Sequence, residues 1–374
     1  MTNIGIGIGI GIGIVGYGAI ARVHAAALSV LPFMYPQMKY RPDVRAISAG
    51  GLSSQANARR DFPHTAQMPY TELLADSNIT AVLLSTPTGV HAVQVAQAIA
   101  AGKHILCEKP LTVNVVQSRA LVAAANAAGV VLAMNHHFRR IPALVDAQQR
   151  IAAGYLGTPL RAHLRYYRSS NVSPQRAVTW RFEGVSGGVL VDLGSHLIDL
   201  SASLFGSPLQ RVRAELQTVY PQRPGRDGEL IQVDVDDIAW LQARLANGML
   251  VTMEASKMVP GGADSLRVEA YGTAGTIMFD MDDVNALRIG TAQTANSLQR
   301  IDIWNRNTPA ASVPGSETST SSLSWHAASW ESFLATIAGE QRIVCTGDAG
   351  LHVDAVIEAA RRSAANDGLW EDVQ

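Results

Sequence analysis

The sequence of 374 residues is poor in cysteine, containing only Cys107 and Cys345. Two cysteines are too few for a disulfide framework or a four-cysteine zinc site, so we expect no metal and a reducing, cytoplasmic location. The N-terminus also lacks the basic segment and the compact leucine-rich segment of a signal peptide.

A charge excess of either sign is lacking as well. The sequence has 30 Lys and Arg against 31 Asp and Glu, a formal net charge of -1 at pH 7. Such a balance gives no electrostatic footprint for nucleic acid or for an acidic membrane surface. No apolar run is long enough to span a bilayer. We therefore expect a small-molecule ligand, with no nucleic acid and no membrane among the partners.

What the sequence does have is length and hydrophobic content. A chain of 374 residues with 47% hydrophobic and 16% charged residues is typical of a folded globular protein with more than one core. We predict two domains, residues 1–138 and 139–374. Whether the C-terminal helices pack back on the first domain is left open.

A glycine turn near the N-terminus predicts a dinucleotide site. The β-branched run from Ile10 ends in Gly16-Tyr17-Gly18-Ala19-Ile20-Ala21 and continues as alanine-rich, helix-permissive sequence. Strand, glycine turn and helix form the context that a G-x-G-x-x-G/A fingerprint requires. The second glycine lets the backbone approach a pyrophosphate, which the first-turn amides of the helix then face. The predicted cofactor contacts in this turn are Gly16, Tyr17, Gly18, Ala19 and Ile20.

A Gly-Ile repeat from Ile4 to Ile14 overlaps this motif. It contains a strict G-x-G-x-x-G at Gly11, Gly13 and Gly16, but no helix follows that frame, so we assign it no chemistry. Because glycine at every second position weakens a strand, we interpret the repeat as a half-ordered extension of the first strand.

Strand-like and helix-like segments alternate up to Met134, which predicts a doubly wound parallel sheet of the α/β Rossmann type. The exception is Pro32–Pro42, where three prolines exclude regular helix. Ligands bind such sheets beyond the C-terminal ends of the strands. The turns Gly16–Ala21, Thr86–His91 and Glu108–Pro110 follow three such ends and should converge on one crevice. The cofactor contacts expected from the last two turns are Ser85, Thr86, Pro87, His91, Glu108 and Lys109.

The segment after the second strand, Asp43–Ser48, favours NADP over NAD. An NAD-binding unit carries an Asp or Glu here that holds the ribose 2′-hydroxyl, and this sequence has neither. Hydroxyls, glycine amides and an arginine are present instead and suit a 2′-phosphate; they belong to Ser48, Gly50, Ser53, Ser54 and Arg59. NAD stays an option. The alternative is that the serines only cap a helix at Gln55–Phe62.

The second half changes to strand after strand, with an Asn247-Gly248 hairpin signal and one interrupting helix near Val189–Leu204. Two segments, Tyr220–Glu229 and Thr308–Ser324, are interpreted as loops. Two helices close the chain.

Two blocks of motifs carry a resemblance to a known family. The first consists of Gly16–Ala21 with His24, Ser85-Thr86-Pro87 with His91, and Glu108-Lys109-Pro110; the second consists of Trp180-Arg181 and the stretch Gly187–Asp199. Over essentially its whole length the sequence resembles the Gfo/Idh/MocA oxidoreductase family. The resemblance implies an N-terminal Rossmann domain and a C-terminal α+β domain with a large, mostly antiparallel sheet. It also implies NAD or NADP, a sugar, inositol or related polyol as substrate, and a homodimer or homotetramer formed through the C-terminal sheet.

Hydride transfer at an alcohol carbon needs a proton acceptor and a group that stabilises the alkoxide. Asp192 and His196 are four residues apart on a predicted helix and so share a face. The family's catalytic lysine, aspartate and histidine map to Lys109, Asp192 and His196. By that resemblance His196 accepts the proton, Lys109 lies near the reacting oxygen, and Asp192 binds a substrate hydroxyl. Which of His196 and Lys109 moves the proton is left open, as is a purely structural Asp-His pair.

The remaining substrate contacts are expected from His136, Arg139, Trp180 and Arg181. Adjacent histidines on a strand face opposite sides, which argues against a metal shared by His136 and His137. Trp180 offers a face for sugar stacking, or else packs in a core. The resulting prediction is an NAD(P)-dependent sugar or polyol dehydrogenase or reductase. Two alternatives are a sugar lyase or glycosidase with transient oxidation, and a non-catalytic sugar-sensing regulator.

Overall fold

The computed structural model describes residues 8–225, 227–262, 264–294, 296–303, 321–342 and 344–374. The chain divides into two compact units, Met1–Arg140 with Thr308–Leu351, and Ile141–Asn307 with His352–Gln374. The first unit therefore includes a C-terminal segment in addition to the N-terminal part of the chain. Residues 4–7 of the Gly-Ile repeat and residues 308–320 of the second predicted loop lie outside the described residues.

The helices, numbered along the chain, are α1 (Ala19–Met34), α2 (Leu52–Asp61), α3 (Tyr70–Ala75), α4 (His91–Ala100), α5 (Val115–Ala128), α6 (Pro142–Ala152), α7 (Ser195–Phe205), α8 (Ser322–Ile337) and α9 (Gly347–Ala365). The strands are β1 (Ile8–Val15), β2 (Tyr40–Ser48), β3 (Ala66–Gln67), β4 (Ala81–Leu84), β5 (His104–Cys107), β6 (Leu132–Met134), β7 (Pro159–Tyr167), β8 (Leu209–Gln217), β9 (Gln222–Pro224), β10 (Leu230–Gln232), β11 (Ile238–Leu245), β12 (Leu250–Ser256), β13 (Ser265–Gly272), β14 (Gly275–Asp280), β15 (Ala286–Thr291), β16 (Gln299–Asp302) and β17 (Glu371–Asp372). No helix in these ranges has both the length and the apolar character that crossing a bilayer requires.

A six-stranded parallel sheet organises the first unit, in the order β3-β2-β1-β4-β5-β6. One face of this sheet packs on α1 and on α8, whose Trp330 and Phe333 are fully buried. The other face packs on α3, α4 and α5. The predicted doubly wound Rossmann sheet is confirmed, and its core includes a helix from the C-terminal part of the chain.

The described part of the Gly-Ile repeat is a buried strand with a packing requirement for glycine. Ile10, Ile12 and Ile14 are at most 4% exposed. A Cβ on Gly11 would overlap the carbonyl oxygen of Asn78, and a Cβ on Gly13 would lie 2.5 Å from the Leu73 side chain. The prediction of a half-ordered extension is therefore wrong for this part, because the absent side chains let the segment between α3 and β4 pack against β1.

The proline-rich segment also differs from expectation. Helix α1 continues through Pro32 to Met34, and the amide of Tyr35 donates to the Leu31 carbonyl at 2.8 Å. A proline in the last turn removes a single amide donor, which a 16-residue helix tolerates more easily near its end than in its middle. Pro42 lies within β2, opposite Ile10. The predicted exclusion of helix is therefore wrong for Pro32–Met34, and β2 begins at Tyr40, three residues before the predicted strand.

A nine-stranded sheet organises the second unit, in the order β16-β15-β14-β13-β7-β12-β11-β8-β17. The β7-β12 pair is parallel and the other described pairs are antiparallel. Helices α6 and α7 pack on one face of the sheet. The large, mostly antiparallel sheet is confirmed. The hairpin of β9 and β10 was not predicted, and β9 lies in the segment interpreted as a loop. All three residues of β10 are exposed, so the strand lacks the alternation of buried and exposed positions that indicates a strand.

Candidate active site

The glycine turn between β1 and α1 leaves an open, uncapped helix N-terminus. Gly16 has a φ of +81°, and a Cβ there would lie 2.9 Å from the Ser85 carbonyl oxygen. A Cβ on Gly18 would meet nothing within 4 Å. Helix α1 begins at Ala19, and no side chain caps its first-turn amides. Open space in front of free helix amides fits the pyrophosphate of a dinucleotide.

Two predicted cofactor residues support this turn from behind. The ring of Tyr17 is 1% exposed and packs edge-on against Phe62 at 6.1 Å. Burial, followed by the charge of Asp61, raises the pKa of Tyr17 to about 12. The Ser85 hydroxyl lies 3.0 Å from the carbonyl oxygens of Val15 and Gly16 and donates to them. These side chains hold the strand end and the turn, while Gly18 and Ala19 are exposed and Ile20 is half-buried.

The three predicted turns converge on one edge of the parallel sheet. Gly16 packs against Ser85, as described above. The two ring nitrogens of His91 lie 2.9 Å from the Thr86 carbonyl oxygen and 3.0 Å from that of Pro110. The imidazole is fully buried, and burial lowers its pKa. His91 therefore ties the Thr86 turn to the Lys109-Pro110 segment, whose peptide bond is cis.

The segment after β2 contains no carboxylate up to the start of α2. Helix α2 begins at Leu52, with Gly51 as its N-cap and no side-chain cap. The alternative in which serines cap a helix beginning at Gln55 is therefore wrong, since Ser53 and Ser54 lie inside the first turn. Arg59 is exposed in the last turn, about 9 Å along the helix axis from Ser53.

The Glu108 carboxylate belongs to a buried polar cluster that the sequence did not reveal. It lies 3.0 Å from His24 Nε2 and accepts a hydrogen bond from Asn135 Nδ2 at 2.6 Å. The His24 ring lies edge-on to His326 of α8, with centroids 4.7 Å apart. Burial alone would raise the pKa of Glu108, but the hydrogen bond and charge of His24, the charge of His326 and the Asn135 hydrogen bond hold it far below its usual range.

Three members of this cluster, His24, Glu108 and His326, carry possible metal-ligand atoms within 4.8 Å of one another. We interpret them as a hydrogen-bonded network, because the carboxylate already interacts with His24 and Asn135. The backbone amide of Lys109 donates to the second carboxylate oxygen at 3.3 Å. The cluster thus fixes the backbone of the residue predicted to be catalytic.

In the second unit, Asp192 and His196 lie on one continuous helical stretch. Residues Leu190–Gly194 form a π-helical turn that passes directly into α7. Gly188 has a φ of +91°, and the Asp236 carboxylate occupies the space that its Cβ would need. Asp236 Oδ2 accepts a hydrogen bond from the Leu190 amide at 2.6 Å. Burial raises the pKa of Asp236, against the opposing effect of this hydrogen bond.

Asp192 is held by two cations. Lys257 Nζ lies 2.6 Å from Asp192 Oδ2, and Arg181 Nε lies 3.6 Å from the same oxygen. Lys257 directly follows β12 and is 4% exposed. Sequence reasoning missed Lys257, and its position at the end of a buried strand was the available signal. His196 is 5% exposed and lies edge-on to Tyr166 at 6.1 Å.

A cavity of about 430 Å³ contains Asp192 and Arg181 in its wall. The other lining residues are Arg168, Ser169, Ser170, Arg176, Lys257, Gly262 and Asp264. Trp180 supports Arg181 through a cation-π contact at 4.3 Å.

The remaining predicted substrate residues, His136 and Arg139, belong to the first unit. His136 is 2% exposed and follows β6, which ends at Met134. The histidine pair is therefore not on a strand, and the opposite-face argument does not apply to it.

Comparisons with known proteins agree with this architecture. Residues 10–136 match a family described as an oxidoreductase family with an NAD-binding Rossmann fold, and residues 144–278 match the GFO/IDH/MocA C-terminal domain. Levoglucosan dehydrogenase of Pseudarthrobacter phenanthrenivorans is 29% identical over 294 residues, which cover 74% of this chain and 75% of that protein. The scyllo-inositol 2-dehydrogenase (NADP(+)) of Bacillus subtilis is 29% identical over 362 residues, covering 94% and 92%. A solved structure of levoglucosan dehydrogenase in complex with NADH and L-sorbose matches with a TM-score of 0.91 and 26% identity, covering 98% of this chain and 99% of that one.

Proposed function

Since this chain belongs to the Gfo/Idh/MocA family and is a nicotinamide-dinucleotide-binding oxidoreductase of the sugar and inositol dehydrogenase type, we propose that it transfers a hydride between NADP and a carbon of a sugar, inositol or related polyol. The observation that carries this proposal is the convergence of the open Gly18 turn with the Lys109-Pro110 segment through Ser85, Thr86 and His91. It puts a cationic side chain on the same sheet edge as the dinucleotide turn.

The proposed roles follow from the chemistry of alcohol oxidation. A bound nicotinamide supplies the hydride acceptor or donor. Lys109 stabilises the developing alkoxide, and His196 takes the hydroxyl proton in the oxidative direction. Asp192 binds a substrate hydroxyl, and its contact with Lys257 at 2.6 Å holds the carboxylate in position.

The preference for NADP is the finer part of the proposal. It rests on the absence of a carboxylate between Ser48 and Ser54, where an acid would repel a 2′-phosphate. The fold itself suits either nucleotide, since one relative is named for NADP(+) and one structural neighbour holds NADH. A cytoplasmic location also belongs to the proposal and is supported by the low cysteine content of the sequence, which has only Cys107 and Cys345.

Nucleotide titration followed by a substrate panel tests the proposal. NADPH and NADH are titrated against the protein by nicotinamide fluorescence, and we expect NADPH to bind roughly tenfold more tightly. Aldoses, inositols and ketosugars are then screened by nicotinamide absorbance, and at least one should change the NADPH concentration. Absence of affinity for both nucleotides contradicts the proposal.

The same panel separates the two alternative functions. A sugar consumed without net change in NADPH indicates a lyase or glycosidase that returns the hydride. Tight nucleotide and sugar binding without any conversion indicates a sensing protein.

A further inference from the structure

The cavity around Asp192 carries more positive charge than its carboxylates neutralise. Its wall holds two carboxylates, Asp192 and Asp264, and four cationic side chains, which belong to Arg168, Arg176, Arg181 and Lys257. All six groups lie within the second unit.

Each carboxylate makes close contact with one of these cations. Asp264 binds Arg168 with both oxygens, Oδ1 to Nε and Oδ2 to Nη2, each at 2.9 Å. Asp192 binds the Lys257 ammonium at 2.6 Å. Such a bidentate pair and such a short ammonium-carboxylate contact are strong charge-assisted interactions. Arg181 lies 3.6 Å from an Asp192 oxygen that Lys257 already holds.

Among the described residues, the Arg176 side chain donates hydrogen bonds to neutral oxygens. Its Nη1 donates to the Ser170 carbonyl and, at 2.9 Å, to Asn171 Oδ1. Its guanidinium also lies over the Phe182 ring, 5.6 Å from the centroid. Burial, and then the positive charges of Arg181 and Arg223, lower the pKa of Arg176. Arg176 therefore has no carboxylate partner among the described residues, and Arg181 shares Asp192 with Lys257 at the longer distance of 3.6 Å.

The loop that carries Arg176 is fixed from inside. Arg223 is fully buried and donates to the carbonyl oxygens of Asn171 at 3.0 Å and Ser173 at 2.9 Å. Asp237 pairs with Arg223 at 3.3 Å and accepts a hydrogen bond from Asn171 Nδ2 at 2.6 Å. A cationic loop held in this way is arranged before a ligand arrives, which lowers the entropy cost of binding.

We propose that this cavity binds the oxyanion of an acidic sugar, either the carboxylate of a sugar acid or the phosphate of a sugar ester, through Arg176 and Arg181. The inference rests on the proposed function and selects the anionic members of its substrate class. Guanidinium groups bind carboxylate and phosphate in a bidentate manner. The volume of about 430 Å³ lies within the range of small-molecule sites, about 300–1,000 Å³. A neutral polyol would leave the Arg176 charge unmatched and Arg181 sharing one carboxylate with Lys257.

Matched sugars and one charge-removing variant test the inference. The ratios of kcat/KM for glucuronate to glucose, and for glucose 6-phosphate to glucose, are measured with the wild-type enzyme, Arg176→Gln and Arg119→Gln. Arg119 is exposed on α5, so its substitution removes the same charge elsewhere. We expect at least one ratio to exceed about 10 in the wild type and to fall roughly tenfold or more in Arg176→Gln, as for loss of a charged hydrogen bond. Arg119→Gln should keep the wild-type ratios, and the larger ratio distinguishes a carboxylate site from a phosphate site.

Calorimetry with the same three sugars, in the presence of NADPH, gives a readout that does not depend on turnover. The inference is supported if Arg176→Gln weakens the binding of either anionic sugar and if added salt weakens that binding further. Equal kcat/KM for acidic and neutral sugars, or a variant that lowers both alike, overturns it. If no sugar is converted, the proposed function fails and calorimetry alone tests the anion site. Unchanged binding in Arg176→Gln, or no binding of either anionic sugar, then contradicts the site.

Discussion

The two side chains proposed to act on the reacting hydroxyl, Lys109 and His196, have different surroundings. Lys109 is half-buried in the turn after β5, and its backbone is held by Glu108. His196 is almost fully buried on α7, where Tyr166 packs against its ring. A buried imidazole is suited to taking a proton from a bound hydroxyl, and a more accessible ammonium is suited to stabilising negative charge on oxygen.

Replacing either group should remove most of the activity and leave cofactor binding largely intact. We expect Lys109→Met and His196→Ala each to lower kcat by roughly two to four orders of magnitude, because each removes a group that acts in the transition state. Steady-state kinetics and NADPH fluorescence measure the two effects. Lys39→Met and His64→Ala, at exposed positions, are the controls. Normal turnover in either test variant contradicts the corresponding role.

A single carboxylate after β2 should change the nucleotide preference. Ala49 directly follows the strand end at Ser48 and is half-buried. An aspartate at this position would repel the 2′-phosphate of NADPH and accept a hydrogen bond from the 2′-hydroxyl of NADH. We expect Ala49→Asp to shift the ratio of the two dissociation constants toward NADH by roughly tenfold. An unchanged ratio would mean that other residues recognise the 2′ position.

The buried cluster around Glu108 predicts loss of stability in acid. Burial, and then the neighbouring His24, lower the pKa of His326 from 6.5 to about 4. Between these values the unfolded chain takes up a proton that the folded protein does not, so the free energy of unfolding falls as the pH drops from about 6.5 to 4. Glu108, whose folded pKa is also lowered, adds a loss in the same direction below about pH 4.3.

Removing the His326 imidazole should therefore flatten the acid limb of the stability curve. We expect Tm of His326→Gln to change less than that of the wild type between pH 7 and pH 4, whatever its value at pH 7. Differential scanning calorimetry across this range measures the slope, and His64→Gln, at an exposed position, is the control. A slope equal to the wild-type slope would show that another group titrates.

At the level of helices and strands, the sequence predicts those elements that depend on patterns within a few neighbouring residues. The local pattern predicts a helix over Tyr70–Ala75 and a strand over His104–Cys107, and the structure has both with these bounds. The sequence also predicts a helix through about Ala128 with Thr112 as its cap, but in the structure Asn114 caps α5 and its side chain accepts a hydrogen bond from the Gln117 amide at 3.0 Å. The hydroxyl of Thr112 instead contacts Asn114 and Ser118. Local rules thus identified the helix but assigned its cap to Thr112, two residues before the actual cap at Asn114.

Features that depend on contacts between distant segments could not be predicted from the sequence. The Leu190 amide at the start of the π-helical turn binds Asp236, and the two residues are 46 positions apart in the chain. The pairing of Lys257 with Asp192 spans 65 positions. No fixed spacing encodes such contacts. The resemblance pointed to Asp192, His196 and Arg181 by their motifs, but it did not point to Lys257, the nearer cation at the Asp192 carboxylate.

Strand β1 allows a direct test of why its glycines are needed. A Cβ at Gly11 would overlap the Asn78 carbonyl oxygen, whereas a Cβ at Gly9 would meet nothing within 4 Å. We expect Gly11→Ala to lower the free energy of unfolding by about 1–3 kcal/mol, since backbone must move to relieve the overlap. Gly9→Ala, in the same repeat, should stay within about 0.5 kcal/mol of the wild type. Urea unfolding measures both, and equal effects would contradict a packing role for Gly11.

For the whole molecule, one face of the nine-stranded sheet suggests a second copy of the chain as its partner. A shallow cavity of about 660 Å³ lies on this face and contains none of the predicted site residues. Trp240 is 37% exposed there, and arginines and glutamates share the same surface. These charged residues are Arg165, Arg213, Glu215, Glu254, Arg267 and Glu269. Residues of both signs on one surface can pair across a two-fold axis, as an isologous interface requires.

We therefore predict a homodimer or homotetramer that uses this face, and the exposed Trp240 provides the test. Trp240→Glu would bury an unpaired charge in the interface, so light scattering after size exclusion should show a smaller assembly than for the wild type. Val116→Glu adds the same charge on α5, where the side chain is 76% exposed, and should leave the mass unchanged. A monomeric wild type would contradict the prediction, as would an unaltered mass in Trp240→Glu. A protein-protein interface of standard size buries about 1,600 Å² in total, and a face that spans several strands is large enough to supply its half. Because such interfaces are about as apolar as the rest of a protein surface, this face needs no continuous apolar patch.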